Sequence, residues 1–383
     1  STMPALTVLT LSEMISIPDS LSSNLSINEF IFFLTASEES TSSANLSVEA
    51  QTETPQEEVD LPIDGSGIPG DITTGTAVAA VDMVNLANTN QVNSNIIFNI
   101  QNVYIDEEGN IDLTEGYTTI NPADVNVTQS NNAIITNTIA AIANSGQNAI
   151  YDAAGQITTG NAYAVINVFN FINVNLINST WQFIIINIFG DVSGDIILPE
   201  LEQSAMNLEA SSIGDISQTN EATVQNNIDS SATTGSNSIG KKGEITTGDA
   251  TAAVNDQNLI NANLLGGVYY QLLINNLGSW DGQFLGWGDL GPSNSFYGQM
   301  LFTPEFNLLI NGTGAYVTAN QSNTAYLENN IVANANTGLN TIEGGGTIKT
   351  GNAYSAVNLI NFVNSNIINS VGFFGIINIF GNY

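Results

Sequence analysis

The sequence predicts an all-β protein built from four copies of one structural unit, with a further strand before the first copy. Three observations support this prediction: one motif occurs four times, glycine or asparagine marks a bend about every fifteen residues, and side chains alternate between the bends. A four-repeat β-solenoid, in which each turn of the chain pairs with the next, explains the fixed spacing best. Tandem β-sandwich units are the alternative, because the copies differ in length and sandwich loops accept insertions readily.

The main motif reads GDITTGTAVAAV at Gly70–Val81 and returns at Gly155–Ile166, Gly243–Val254 and Gly346–Val357. Its second glycine is followed by asparagine at offsets of ten, thirteen, fifteen and twenty-seven positions in every copy. The sets are Gly75 with Asn85, Asn88, Asn90 and Asn102; Gly160 with Asn170, Asn173, Asn175 and Asn187; Gly248 with Asn258, Asn261, Asn263 and Asn275; and Gly351 with Asn361, Asn364, Asn366 and Asn378. We expect the glycines at equivalent bends, with positive φ in most of them, and the asparagines largely buried and hydrogen-bonded to backbone or stacked in ladders.

A second motif, N-x5-N-x-I-x6-G-x-N, precedes three of the four copies and begins at Asn131, Asn220 and Asn323. We call this segment the leader. The first copy has the acidic, proline-bearing stretch Ser47–Gly67 in its place, and Ser37–Gln56 has the Ser, Thr and Glu content of a linker. The first repeat is therefore predicted to lack its leader strand.

Between the bends of the second copy, the alternation of side chains predicts which faces of its strand pack against other parts of the protein. In AYAVINVFNFINVN, Ala162, Ala164 and Ile166 would share one face of a strand, and Tyr163 and Val165 the other. Both faces are partly apolar and rich in β-branched residues, which predicts a strand covered on two sides. The best helix signal in the chain is the short segment Pro199–Ala210.

The N-terminal stretch does not match the repeat and holds two apolar segments, Ala5–Ile17 and Ile27–Thr35. The first permits a strand with apolar residues on both faces, and its periodicity does not exclude a short helix. The resulting division is an N-terminal strand segment and linker over 1–46, a first, incomplete repeat over 47–125, and further repeats over 126–215, 216–315 and 316–383. The third repeat carries an insertion rich in Gly and aromatics, Gly278–Met300.

The composition argues against several classes of function. The chain has three Lys, no Arg, His or Cys, and a formal net charge of −33. Few cations argue against binding to nucleic acid or anionic lipid, and no apolar run is long enough to span a membrane. The usual general base, thiolate nucleophile and zinc ligands are missing, so we expect no enzyme and no cofactor except Ca²⁺. Without His, stability is expected to depend weakly on pH between about 5 and 8.

Three kinds of candidate site remain. An acidic turn at Asp106, Glu108, Asn110 and Asp112 could hold Ca²⁺, although a solvated hairpin turn is the simpler interpretation. Sequons for glycosylation occur at Asn24, Asn45, Asn126, Asn178, Asn311 and Asn320. The aromatic residues of the Gly278–Met300 insertion could stack on surface glycans, with core or interface packing as the more common role.

With these motifs the chain resembles Asn-rich repeat surface proteins of uncultivated bacteria and some archaea, which carry N…NTGxN…IxTGxAxAxxV tracts. The resemblance covers Asn126–Tyr383 and Gly70–Asn102 and implies little about activity. The layout is also similar to filament subunits built by donor-strand exchange. We therefore expect a secreted structural subunit that polymerises head to tail into an extracellular filament, with a carbohydrate-binding adhesin or surface-layer protein as the alternative. The expected contact joins Leu6, Val8, Leu9 and Leu11 of one subunit to Ile376, Ile377 and Ile379 of a neighbour.

Overall fold

The structure is a computed structural model, and the residues it describes are almost all in strands or the bends between them. It describes residues 9–11, 25–36, 39–51, 70–88, 95–103, 107–108, 111–112, 127–175, 179–189, 191–197, 216–263, 267–282, 284–285, 319–366 and 372–380. These residues contain no helix, and therefore none that could cross a membrane. The prediction of an all-β fold is confirmed, whereas the possible helix at Pro199–Ala210 lies outside the described residues.

The strands follow the repeat. Three strands precede the first main motif: β1 (Leu9–Leu11), β2 (Leu25–Ala36) and β3 (Glu39–Gln51). The first repeat contributes β4 (Gly70–Thr73), β5 (Thr76–Ala87), β6 (Asn95–Val103), β7 (Glu107–Glu108) and β8 (Ile111–Asp112). The second contributes β9 (Val127–Asn144), β10 (Ala149–Ile150), β11 (Gly155–Thr158), β12 (Ala162–Ile172), β13 (Ser179–Ile188), β14 (Asp191–Ser193) and β15 (Ile196–Ile197). The third contributes β16 (Ile216–Thr233), β17 (Ser238–Ile239), β18 (Gly243–Thr246), β19 (Ala250–Ile260), β20 (Gly267–Asn276), β21 (Ser279–Asp281) and β22 (Phe284–Leu285). The fourth contributes β23 (Ala319–Asn336), β24 (Thr341–Ile342), β25 (Gly346–Lys349), β26 (Ala353–Val363) and β27 (Gly372–Ile379).

Corresponding strands of successive repeats pair with each other, parallel and in register. In the largest sheet the order is β1-β2-β5-β12-β19-β26, and Asn170 of β12 lies opposite Asn85 on one side and Asn258 on the other. The same rule orders β23-β16-β9-β3, β25-β18-β11-β4 and β27-β20-β13-β6. Each repeat therefore adds one strand to each of these sheets, so residues at equivalent positions of the repeats form columns across the sheets.

Three of the sheets stack as layers. The central sheet (β1, β2, β5, β12, β19, β26) lies between the leader sheet (β3, β9, β16, β23) and the tail sheet (β6, β13, β20, β27). Ile166 packs in one apolar cluster with Ile139 of the leader sheet. On the other face Phe169 meets Phe183 of the tail sheet edge to face, with ring centroids 4.2 Å apart. All residues of β12 and β19 are buried, which confirms the predicted cover on two sides.

The linker predicted over Ser37–Gln56 is wrong for Glu39–Gln51, which form β3 and pair with β9 in the position of the missing leader. The register sets Leu46 opposite Ile139 and Val48 opposite Ala141. The physical reason is visible in the sequence, because Leu46 and Val48 alternate with Ser47 and Glu49 in the period of a strand. The Ser, Thr and Glu content concealed that period.

The N-terminal strands also pair with their own chain. β2 extends the central sheet by pairing parallel to β5, and Leu9–Leu11 of β1 pair antiparallel with Phe33, Phe32 and Ile31 of β2. In this chain these strands therefore cover the first repeat, and pairing of the segment with a neighbouring subunit stays a prediction. An unpaired β5 edge would leave a row of backbone hydrogen-bonding groups unused, which is the physical reason for this arrangement.

Candidate functional site

The repeated glycines stack directly on one another. The Gly160 amide donates to the Thr74 carbonyl at 2.8 Å, and a Cβ atom built on Gly160 would overlap the backbone of Gly75. The expected positive φ is wrong for Gly75, Gly160, Gly248 and Gly351. Glycine is needed there because successive backbones approach too closely for any side chain.

Positive φ occurs instead at the asparagines thirteen positions after the glycines. Asn88, Asn173, Asn261 and Asn364 have φ of 59°, 58°, 54° and 58°. Asparagine tolerates this left-handed conformation better than other residues with a Cβ. The side chain of each later copy donates to that of the copy before it at 2.7 Å, so these bends also carry an amide ladder.

A second ladder joins the central and leader sheets. Asn85 Nδ2 donates to Asn170 Oδ1 at 2.5 Å, Asn170 to Asn258 at 2.6 Å, and Asn258 to Asn361 at 2.9 Å. Asn137 of the leader sheet donates to Asn170 Oδ1 at 3.2 Å, so the two sheets share one network. The prediction of buried asparagines is confirmed for the inner copies, and their partners here are mainly other side-chain amides.

A third set of ladders ends on a carboxyl group. Asn167 and Asn187 face each other between the central and tail sheets, and both donate to Asp82 Oδ1, at 2.5 Å and 3.3 Å. Asp82 is fully buried. This column was not predicted; it lies seven positions after the glycine and continues through Asn255 and Asn358. The sequence does indicate the column, because three of the four copies have asparagine at this position. The first copy has Asp82 there instead, so the position did not stand out as a repeated asparagine.

The ladder through Asn85 has an unsatisfied end. Asn85 is fully buried, and among the described residues no group donates to its Oδ1. The next strand outward is β2, whose register sets Leu34 opposite Asn85. Because a leucine side chain has no donor, the column stops at a mismatch that costs about 1–3 kcal/mol.

Asp256 interrupts an apolar column in the third repeat. Its register partners are Val168 in β12 and Leu359 in β26. Burial raises the pKa of Asp256 to about 7, against the opposing effect of hydrogen bonds from Asn258 and Asn226. This carboxyl group titrates where histidine usually does, within the range of pH about 5 to 8 for which the absence of histidine predicted weak pH dependence.

The fourth repeat has an open face. Its strands are the last in all five sheets to which they belong, and among the described residues no strand pairs with their outer edges. Val357 and Leu359 are 47% and 46% exposed, whereas Val254, the residue opposite Val357, is fully buried. The ladders also stop here, because within the described part of the chain nothing accepts from Asn361 Nδ2. We call the outer edges of β23–β27 and these side chains the open face.

The other predicted sites are only partly described. Glu108 and Asp112 lie on separate short strands, β7 and β8, while Asp106 and Asn110 fall outside the described residues. Among the sequons, Asn320 is exposed on β23 and Asn45 lies on β3, and the remaining four fall outside the described residues. Ile376, Ile377 and Ile379 lie on β27 of the open face; Leu9 and Leu11 lie on β1, and Leu6 and Val8 are not described.

One aromatic residue of the Gly278–Met300 insertion, Trp280, is buried in the structure. Trp280 is 6% exposed, and its Nε1 donates to the Gly194 carbonyl at 3.0 Å. This side chain packs between repeats and is not available for stacking on a sugar. Trp287 and Tyr297 lie outside the described residues.

Comparison with known proteins adds no relative. The chain matches no family model, no curated protein and no solved structure.

Proposed function

We propose that the chain is a secreted structural subunit, coiled as a β-solenoid, that polymerises head to tail by β-strand addition at the open face. The observation that carries this proposal is the open face itself. Within the described part of the chain, it combines strand edges that pair with no other strand, half-exposed core residues and the ends of amide ladders in one place. Such an edge is a template for further strands.

The pairing pattern supports a solenoid in preference to sandwich units. In tandem sandwiches, the strands of one unit would pair mainly with each other and form a separate core. Here β12 pairs with β5 and β19, the corresponding strands of the neighbouring repeats. The apolar cluster that includes Ala79, Ala164 and Ala252 likewise runs through successive repeats. A coil in which each repeat stacks directly on the preceding one explains both the pairing of corresponding strands and the continuous apolar cluster.

The ladders support an assembly role rather than a catalytic one. Buried amide columns stabilise the stacking of identical units, and an added unit with asparagine at the same offsets would extend them. We propose no enzymatic activity, no cofactor and no nucleic-acid or membrane partner, and an extracellular or cell-surface location in keeping with the resemblance to Asn-rich surface proteins. Ca²⁺ binding at the Asp106 turn and glycosylation stay predictions, as does the alternative of a glycan-binding adhesin. The burial of Trp280 is evidence against that alternative at one position.

The experiment is electron microscopy of negatively stained protein at rising concentration, with a lysine placed on the open face. We expect fibres from the wild type and none from Val357→Lys, because a charge directed into the edge of the core blocks strand addition. The matched control is Asn227→Lys, which adds the same charge to an exposed position on β16 in the third repeat, away from the open face. Circular dichroism checks that both variants fold. Fibres from Val357→Lys, or dispersed particles from the wild type under all conditions, would contradict the proposal.

A further inference from the structure

We infer that the partner of the open face is the edge of the first repeat in a second copy, and that β1 and β2 must leave this edge when two copies join. The inference rests on the proposed function, since it names the surface at which a second copy docks. In this chain β2 covers that edge by pairing with β5 from Leu25–Thr76 to Ala36–Ala87.

The first step concerns register. The four repeats pair with Asn85, Asn170, Asn258 and Asn361 opposite one another. If the same register continues from β26 of one copy to β5 of the next, Asn361 lies opposite Asn85. β26 extends over Ala353–Val363 and β5 over Thr76–Ala87, so the two strands, of 11 and 12 residues, differ in length by one residue.

The second step concerns hydrogen bonds. Within this ladder every Nδ2 donates to the following repeat, so the chain has an unused donor on Asn361 and an unused acceptor on Asn85 among its described residues. These atoms are complementary, and the second copy would satisfy both. In the present chain β2 does not satisfy the acceptor on Asn85, because the register sets Leu34 opposite Asn85. β2 therefore pairs its backbone with the edge but leaves the ladder open, as expected of a strand that is to be displaced.

The third step concerns Asp82, which sets a condition for joining. The continued register places Asn358 opposite Asp82. Asn358 uses its Nδ2 on Asn255, at 2.8 Å, so its Oδ1 would face the carboxyl group. Two acceptors repel unless the carboxyl group carries a proton and donates it. Among the described residues, Asn167 and Asn187 both donate to Asp82, and the register sets Ile31 of β2 opposite it.

The first test locks the cover in place. Thr35 of β2 lies opposite Leu86 of β5, and paired parallel strands are about 4.8 Å apart, within reach of a disulfide. Because the chain has no cysteine, Thr35→Cys with Leu86→Cys gives one defined pair. We expect the oxidised double variant to stay monomeric and the reduced form to make fibres in acid, as judged by light scattering and microscopy. Fibres from the oxidised form, with wild-type fibres present, would overturn this inference and leave the proposed function intact.

The second test alters the mismatch. Leu34→Asn supplies a donor opposite Asn85, so it should hold the cover and lengthen the lag before fibres appear by about tenfold. Leu34→Ala is the control, because it removes the leucine without adding a donor, and its lag should not lengthen. Equal lags for the two variants would contradict the role of the ladder end.

The third test addresses the proton. Asp82→Asn restores the donor present in the other repeats and should allow fibres at neutral pH, where the wild type stays dispersed. Asp229→Asn, on the exposed face of β16, removes the same charge and should leave the acid requirement unchanged. A wild type that assembles equally well at neutral pH, or an unchanged requirement in Asp82→Asn, would overturn this step. Absence of fibres from every protein at every pH would contradict the proposed function itself.

Discussion

Asn226 donates to both carboxyl oxygens of Asp256, at 3.4 Å and 3.3 Å, from the leader sheet to the central sheet. The pair lies beside the apolar cluster between these sheets, where the other repeats have Met83, Val168 and Leu359. A neutral carboxyl group fits such a position better than a charged one, since burial penalises the charge. The burial of Asp256 therefore makes the stability of the fold sensitive to protonation at one residue, and the hydrogen bonds from Asn226 reduce this effect without cancelling it.

Asp256 should make stability fall as the pH rises. Its folded pKa of about 7 lies above the ordinary value of 3.8. The contribution of the neutral group is therefore complete below a pH of about 4 and is lost as the pH rises to about 7. Across that window the free energy of unfolding should fall by about 4 kcal/mol relative to an Asp256→Asn variant. Urea denaturation at several pH values measures this difference.

The control for that measurement is Asp229→Asn, which removes a carboxyl group from the exposed face of the same repeat. Its pH profile should follow that of the wild type. If the Asp256→Asn profile also follows the wild type, Asp256 does not titrate in this window.

Asn173 should be sensitive to substitution for two separable reasons. It has a φ of 58°, and its side chain donates to Asn88 and accepts from Asn261. Asn173→Ala loses the ladder contacts and strains the backbone, with an expected cost of about 2–5 kcal/mol. Asn173→Gly loses the ladder but keeps the backbone conformation, so it should be less destabilising by about 1 kcal/mol. Equal unfolding midpoints for the two variants would show that φ has no part in the effect.

Gly235 and Gly338 occupy the same position in successive repeats and should respond differently to alanine. A Cβ on Gly235 would overlap the Gly338 carbonyl oxygen, whereas a Cβ on Gly338 meets nothing closer than Asn336 Oδ1 at 3.6 Å. Gly235→Ala should therefore destabilise the fold by about 1–3 kcal/mol, while Gly338→Ala changes it by less than about 0.5 kcal/mol. Thermal unfolding of the two variants side by side checks this, and similar losses would contradict the close stacking.

Periodicity made the regular part of this fold predictable. The alternation in Ala162–Ile172 indicated a strand covered on both faces, and the spacing of Asn170 and Asn258 indicated equivalent buried positions. The sequence could not show which bend residue has positive φ, because close backbone approach and φ both favour glycine. β3 was missed because its composition is that of a loop although its period is that of a strand.

Single exceptions to the repeat were harder to interpret than the repeat itself. Asp82 and Asp256 each replace the residue that the neighbouring copies have, and sequence alone shows only the departure. Their roles depend on what lies opposite in the adjacent sheet, which is a tertiary property. The pairing of β2 with β5 is unpredictable for the same reason, since no motif relates the two strands.

The ladders also have an electrical consequence. A column of amides that all donate in one direction has a net dipole along its length, as an α-helix does. The columns through Asn85, Asn131, Asn137 and Asn148 donate toward the C-terminal repeat, while those through Asn173, Asn255, Asn263, Asn275 and Gln218 donate toward the N-terminal repeat. Neighbouring columns of opposite direction largely cancel. A long stack of such repeats would therefore build up little potential difference between its two ends, and each added repeat would meet nearly the same field as the first.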